Sequence, residues 1–137
     1  MQIKQLDHLN LDVADLAASA DWYRRVFGFE EQERGVYNGC PWRIVRSGDA
    51  MLAMYERPGL TLNAGSWAER QALAINHFAL RITDKAAWLA TIEREAITVK
   101  YGEAVEWPHS TSWYLNDPNG YEIEVVLWIQ DRIRFAA

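Results

Sequence analysis

The sequence predicts an α+β protein of two tandem βαβββ modules, and three observations carry that prediction. First, His8-Leu9-Asn10-Leu11-Asp12-Val13 and His77-Phe78-Ala79-Leu80-Arg81-Ile82 share one pattern, a histidine followed by apolar residues at every second position. That period belongs to a strand with one packed face, and it sets each histidine on the opposite face. Second, each strand leads through an aspartate suited to an N-cap, Asp15 or Asp84, into a helix-forming run. Third, each run gives way to strand-like stretches punctuated by turn formers. A unit of strand, helix and three strands makes a four-stranded sheet with a helix on one face only. Two such units are expected to pair their open faces into a curved, half-closed, eight-stranded barrel-like sheet.

Module one spans residues 1–57. Its helix runs from Leu16 to Phe27 and ends at Gly28, a residue free to adopt the left-handed backbone of a helix C-terminus. Strands are expected near 29–37, 42–47 and 50–56, broken at Asn38-Gly39 and Ser47-Gly48-Asp49 and stopped by Arg57-Pro58-Gly59. Residues 58–72, containing Pro58, Gly59, Asn63 and Gly65, read as the connection between modules. Module two, residues 73–128, places its helix at Lys85 to Glu95 and its strands near 73–82, 97–101, 110–115 and 120–128. Its last two strands form a hairpin around Asn116-Asp117-Pro118-Asn119-Gly120. The tail, 129–137, reads as a short amphipathic turn that docks on a partner or neighbour.

A chain of 137 residues, half of them hydrophobic and seven of them Trp, can bury a core as one domain, which excludes disorder. A net charge of −5 without a Lys/Arg cluster excludes a nucleic-acid surface and favours a small-molecule substrate. Cys40 is the single cysteine, so no internal disulfide forms, and no basic neighbour activates its thiol. The N-terminus alternates where a signal peptide would be continuously apolar, and no run is long enough to cross a bilayer. A cytoplasmic protein with no membrane partner is expected.

The alternation of the last strand sets Tyr121, Ile123, Val125 and Leu127 on the packed face and Glu122, Glu124 and Val126 on the open one. A carboxylate amid such apolar neighbours needs a partner, because a bare buried charge is costly or becomes protonated. By the same parity His8 and His77 lie on open faces, and a divalent metal is the partner that joins two imidazoles to a carboxylate. Such a set holds Fe2+, Mn2+, Ni2+ or Zn2+ on one side and leaves other positions open to substrate or water. Glu122 and Glu124 compete for the carboxylate role on strand parity alone. Ser112, Tyr114 and Asn116 alternate onto the same face, and Asn10, beside His8, is positioned to hydrogen-bond a ligand. His109 sits in a loop at the expected cavity mouth, a candidate acid or base. Trp67 and Trp107 also lie in loops, where they would line an entrance suited to a flat or apolar substrate.

In Asp7-His8-Leu9-Asn10-Leu11, Val13-Ala14-Asp15-Leu16, Tyr23-Arg24, Phe27-Gly28-Phe29, Asn76-His77-Phe78-Ala79, Asp117-Pro118-Asn119-Gly120 and Ile123-Glu124, the chain resembles the vicinal oxygen chelate superfamily. That superfamily includes glyoxalase I, fosfomycin-resistance thiol transferases, type I extradiol dioxygenases and bleomycin-binding proteins. The order and spacing of these pieces cover nearly the whole chain. The resemblance implies the metal set His8, His77 and Glu124, selecting Glu124 over Glu122 by its place after Asp-Pro-x-Gly. It implies that Tyr114 holds or protonates a substrate oxygen on the metal, and that the chain forms a homodimer, with modules exchanged between chains in some members. Two departures stand out. Bacterial-type glyoxalase I has a fourth carboxylate ligand in the last strand of module one, where this chain offers Met51, Ala53 and Tyr55 unless a shifted register turns Glu56 inward. The phosphonate-binding lysine and arginine of the fosfomycin enzymes lack counterparts: Ala104 falls near the first, Arg132 and Arg134 only loosely approximate the second, and Asn10 stands for a threonine.

The reading that follows is a metal-dependent enzyme, dioxygenase-like or thiol-transferase-like, acting on two vicinal oxygens of a small substrate, with Tyr114 and His109 as catalytic candidates and Asn10, Trp107 and Ser112 as substrate contacts. Lewis-acid stabilisation of charge on those oxygens is the shared chemistry. The alternative is a non-catalytic protein that sequesters a planar antibiotic in the same groove, and retention of all three candidate ligands favours catalysis. An interaction module built on the Arg132-Ile133-Arg134-Phe135 tail has only that tail in its favour.

Overall fold

The structure, a computed structural model, describes residues 1–61 and 74–135. The chain divides into two compact units, Met1–Leu62 and Asn63–Ala137, and each carries one βαβββ module. Module one contains β1 (Leu9–Val13), α1 (Leu16–Phe27), β2 (Glu30–Tyr37), β3 (Cys40–Ser47) and β4 (Ala50–Glu56). Its sheet is ordered β1-β4-β3-β2, with β1 parallel to β4 and the other pairs antiparallel. Module two contains β5 (Phe78–Ile82), α2 (Lys85–Arg94), β6 (Lys100–Trp107), β7 (Ser110–Asn116) and β8 (Glu122–Trp128). The same topology recurs in the order β5-β8-β7-β6. The fold class is therefore α+β with the duplicated architecture the sequence pattern implies. Most of the expected connection 58–72, including Trp67, lies outside the described residues.

Local chemistry fixes each helix start. The Asp15 side chain accepts the Ala18 N–H, and the Glu56 carboxylate accepts the Leu16 N–H at 2.9 Å, so two of the unpaired donors of α1 are satisfied. Asp84 does the same for α2 through the Ala87 N–H. Buried residues of α1, namely Leu16, Ser19, Ala20, Tyr23 and Val26, recur at helical spacing and face β3 and β4. The sheet answers with Leu11, Val13, Val45, Leu52 and Met54, all buried on the helix side. In module two Trp88 of α2 is buried, as are Trp113, Leu115, Ile123 and Val125. The β2–β3 hairpin turns on Asn38 and Gly39 at φ 50 and 78, left-handed values that match the twist of the flanking strands.

One expectation needs correction. The first strand after α2 occupies Lys100–Trp107 and not 97–101. Its pairing with β7 is interrupted between Lys100 and Val105, where Tyr101 and Gly102 take φ 60 and 100. That bulge breaks the two-residue period on which the strand reading relied. The tail makes a 3-10 turn at Ile129–Asp131, after which the Phe135 ring meets Trp128 edge-on at 5.0 Å and Asp131 pairs with Arg81. Among the described residues, no helix is long and apolar enough to cross a membrane.

Candidate functional site

The open face of module two gathers most of the polar side chains singled out from the sequence. Strand register sets Glu124 between Ala79 on β5 and Tyr114 on β7, so the small Ala79 side chain leaves space over the carboxylate. Glu124 is held from both sides. Its Oε1 accepts the Ser112 hydroxyl at 2.6 Å, and its Oε2 lies 3.1 Å from Nε2 of His77, the residue just before β5. The His77 Nδ1 lies 3.1 Å from Asn76 Oδ1, an acceptor that assigns the ring proton to Nδ1. In that tautomer Nε2 presents a lone pair to a carboxylate oxygen. Two lone pairs facing at 3.1 Å repel unless a second ring proton or a cation stands between them. This donor pair fits a divalent ion: a nitrogen and an oxygen, each oriented by a hydrogen bond from behind, with free lone pairs converging.

Tyr114 stands beside this pair, its ring edge-on to His77 at 5.7 Å. Burial pushes its hydroxyl pKa up, and the neighbouring Glu124 adds to the rise, while hydrogen bonds with Trp107 and Ser112 oppose it. The group is a phenol at neutral pH. The hairpin that carries Tyr114 and Glu124 is fixed by buried Asp117, whose Oδ1 accepts the N–H groups of Asn119 and Tyr121, both at 2.9 Å.

In front of these groups lies an open hollow of about 510 Å3, lined by Asn76, His77, Tyr101, Val105, Trp107, Tyr114 and Glu122. Trp107 borders it as expected and also turns its indole N–H toward Tyr114. Glu122, the competitor to Glu124 on strand parity, is engaged elsewhere. Its carboxylate takes the Lys100 ammonium and, at 3.0 Å, the Tyr101 hydroxyl, so its charge is neutralised within the sheet face. His109 lies in the Pro108-His109 turn between β6 and β7, outside the lining of the hollow, with Nε2 enclosed and lacking a hydrogen-bond partner.

Module one holds His8 and Asn10. His8 precedes β1 as His77 precedes β5, and its Nδ1 sits 2.7 Å from Asp7 Oδ1, so the same tautomeric logic leaves Nε2 free. Asn10 faces Ala53 across the β1–β4 pair, the place Glu124 holds in module two. Glu56 caps α1 and lies on the helix side, so the alternative register that would turn it inward is not adopted. Among the described residues, no three His, Cys, Asp or Glu side chains are grouped as a metal ion requires. Of the expected ligand set, His77 and Glu124 stand together in module two and His8 stands in module one. Sequence reasoning missed Asn76, Lys100 and Tyr101. An acceptor side chain directly before each histidine, Asp7 and Asn76, was the available signal for the first.

A family model for the Glyoxalase/Bleomycin resistance protein/Dioxygenase superfamily matches residues 5–125. Solved structures align over nearly the full length. A glyoxylase/bleomycin resistance protein/dioxygenase domain from Frankia sp. EAN1pec superposes with a TM-score of 0.77 at 16% identity, covering 96% of each chain. Lactoylglutathione lyase from Agrobacterium tumefaciens gives 0.66 at 26% identity, covering 93% of this chain and 96% of that one. A mutant of the genomically encoded fosfomycin resistance protein from Listeria monocytogenes, complexed with Mn(II) and 1S,2S-dihydroxypropylphosphonic acid, gives 0.70 at 17% identity over 93% and 94%.

Proposed function

Because the chain belongs to the Glyoxalase/Bleomycin resistance protein/Dioxygenase superfamily, we propose that it is a divalent-metal-dependent enzyme acting on a small substrate through two neighbouring oxygens. His77, Glu124 and His8 would hold the ion, with His8 supplied by module one of the same chain or of a second copy in a homodimer. Fe2+, Mn2+, Ni2+ and Zn2+ all suit such a set. The observation that carries the reading is the 3.1 Å approach of His77 Nε2 to Glu124 Oε2, with Asn76 and Ser112 orienting the two groups from behind.

An ion held by these residues would supply Lewis-acid stabilisation of negative charge on the substrate oxygens. The chain's own groups do the rest. Ser112 fixes one carboxylate oxygen so that the other faces His77. Tyr114 stays protonated and offers its hydroxyl hydrogen to a substrate oxygen in front of Glu124, acting as donor and not as base. Trp107 and Val105 give one side of the hollow an apolar lining. Ala53, standing where glyoxalase I chemistry needs a carboxylate, favours a dioxygenase-like or thiol-transferase-like reaction. A cytoplasmic location belongs to the same reading.

Elemental analysis of protein purified without chelator tests it. About one metal ion per chain is expected, largely lost in His8→Ala, His77→Ala and Glu124→Ala. Metal content unchanged in all three overturns the assignment.

A further inference from the structure

We propose that Tyr101 is a specificity-determining wall of the hollow, selecting chelating ligands that carry an aryl ring beside their two oxygens over short aliphatic ones; this deepens, and rests on, the metal-chelate reading above. The backbone supplies the first argument. Tyr101 holds φ 60, a left-handed value that bulky side chains disfavour, and Gly102 follows at φ 100. The bulge this makes leaves residues 101–104 out of the ladder with β7, and the Tyr101 ring lines the hollow. Strain is thus held beside the site and serves to place one ring.

The ring is fixed there from three directions. Its hydroxyl donates to Glu122 at 3.0 Å, its face receives the Lys100 ammonium at 5.3 Å, and it meets Tyr114 edge-on at 5.5 Å. Despite these contacts Tyr101 remains 61% exposed and Trp107 51% exposed, so two large aromatic side chains border the same hollow with apolar surface in water. Val105 adds a third apolar side chain to the lining, which His77 and Tyr114 share. The lining thus sets aromatic and aliphatic surface beside the polar groups of His77 and Tyr114. The hollow is open, so a ring has room beside the chelating oxygens. An aryl group above the chelating oxygens would cover the walls and dry them. A short aliphatic ligand would leave them wet.

Benzohydroxamate and acetohydroxamate share one chelating group and differ in phenyl against methyl, so their titration into the metal-loaded protein isolates the wall. After correction for their affinities toward the free ion, benzohydroxamate is expected to bind about tenfold more tightly. In Tyr101→Ala that preference should fall to within about twofold, with acetohydroxamate affinity changed by no more than about twofold, while Tyr101→Phe keeps most of it. Equal binding of the two ligands to the native protein, or a preference that survives Tyr101→Ala, overturns the wall and leaves the metal reading intact. Binding of neither ligand overturns the metal-chelate reading itself.

Discussion

Ser112→Ala removes one hydroxyl that is fully buried and donates to Glu124 Oε1 at 2.6 Å. A hydrogen bond to a charged group contributes about 1.5–3 kcal/mol. The Glu124 side chain is 16% exposed, so solvent screens it little, and about 2 kcal/mol is a reasonable loss for the metal-free protein. With an unfolding entropy of about 2.1 cal/mol/K per residue, the 137 residues give about 290 cal/mol/K, and a 2 kcal/mol loss lowers Tm by about 7 °C. Metal affinity should fall as well, by about 10- to 100-fold, because the carboxylate loses the contact that turns its free oxygen toward His77. Thermal unfolding of chelator-treated protein and competition for metal against a coloured chelator read the two effects separately. Ser110→Ala is the control, since Ser110 is buried on the same face of β7 but is two residue pairs farther from Glu124. If Ser112→Ala left metal affinity within about twofold of the native protein, or if Ser110→Ala matched its effect, the view that Ser112 orients a metal-binding carboxylate would be wrong.

Other outcomes follow from the same coordinates. A Cβ added at Gly35 would lie 2.5 Å from Trp42 Cζ2 and 2.7 Å from Cε2, so Gly35→Ala should displace the indole, shift its fluorescence and cost about 1–3 kcal/mol; an unchanged spectrum and Tm would contradict the contact. The two helix ends predict opposite signs. Gly28→Ala at φ 67 should destabilise by about 1–2 kcal/mol, although the nearest atom to its Cβ is 3.8 Å away, whereas Ala96→Gly at φ 50 should stabilise by up to about 1 kcal/mol. Calorimetry on both settles whether backbone conformation alone sets the sign. Burial works to lower the Lys100 pKa, but the Glu122 hydrogen bond and charge and the nearby Tyr101 outweigh it and the net shift is upward. Its stabilising contribution is therefore full below the unfolded value near ~10.4 and lost as pH rises through the folded one. With the Lys100 side chain 32% exposed, the expected size is under about 1 kcal/mol. The fall in Tm between pH 9 and 12 should be smaller in Lys100→Met/Glu122→Gln than in the native protein.

The architecture was legible because its signals are local and repeated. Aspartate caps, a glycine stop and an Asn-Gly turn each act through nearest neighbours, and the structure keeps α1 at Leu16–Phe27 as read. The strand β6 was not legible, because a bulge carries a bulky residue into a left-handed conformation that no propensity favours. The roles of Lys100, Tyr101 and Glu122 were hidden for the same reason. Their meeting depends on where the bulge restarts the ladder, a tertiary property that parity along one strand does not encode. Glu56 shows the converse. Parity left two registers open, and a single hydrogen bond to the Leu16 N–H resolves them by turning the carboxylate toward a helix start.

Duplication itself explains why two equivalent histidines accompany one carboxylate. His8 and His77 occupy matching places before their strands, and each has an acceptor from the preceding residue at Nδ1. One strand farther in, the copies diverge. The cross-strand pair Tyr114 and Glu124 in module two is replaced by Ile44 and Ala53 in module one. Module one therefore retains a nitrogen donor but carries no acidic oxygen at the matching position, while module two retains both. In the proposed ligand set the third donor must then come from a module that has none of the other chemistry. Ala53→Glu is the sharp probe of that asymmetry, because it restores to module one the carboxylate its twin carries. If the two modules contribute to one ion as proposed, the variant should alter metal affinity or preference without adding a second bound ion, whereas a second independent ion per chain would mean that each module acts alone.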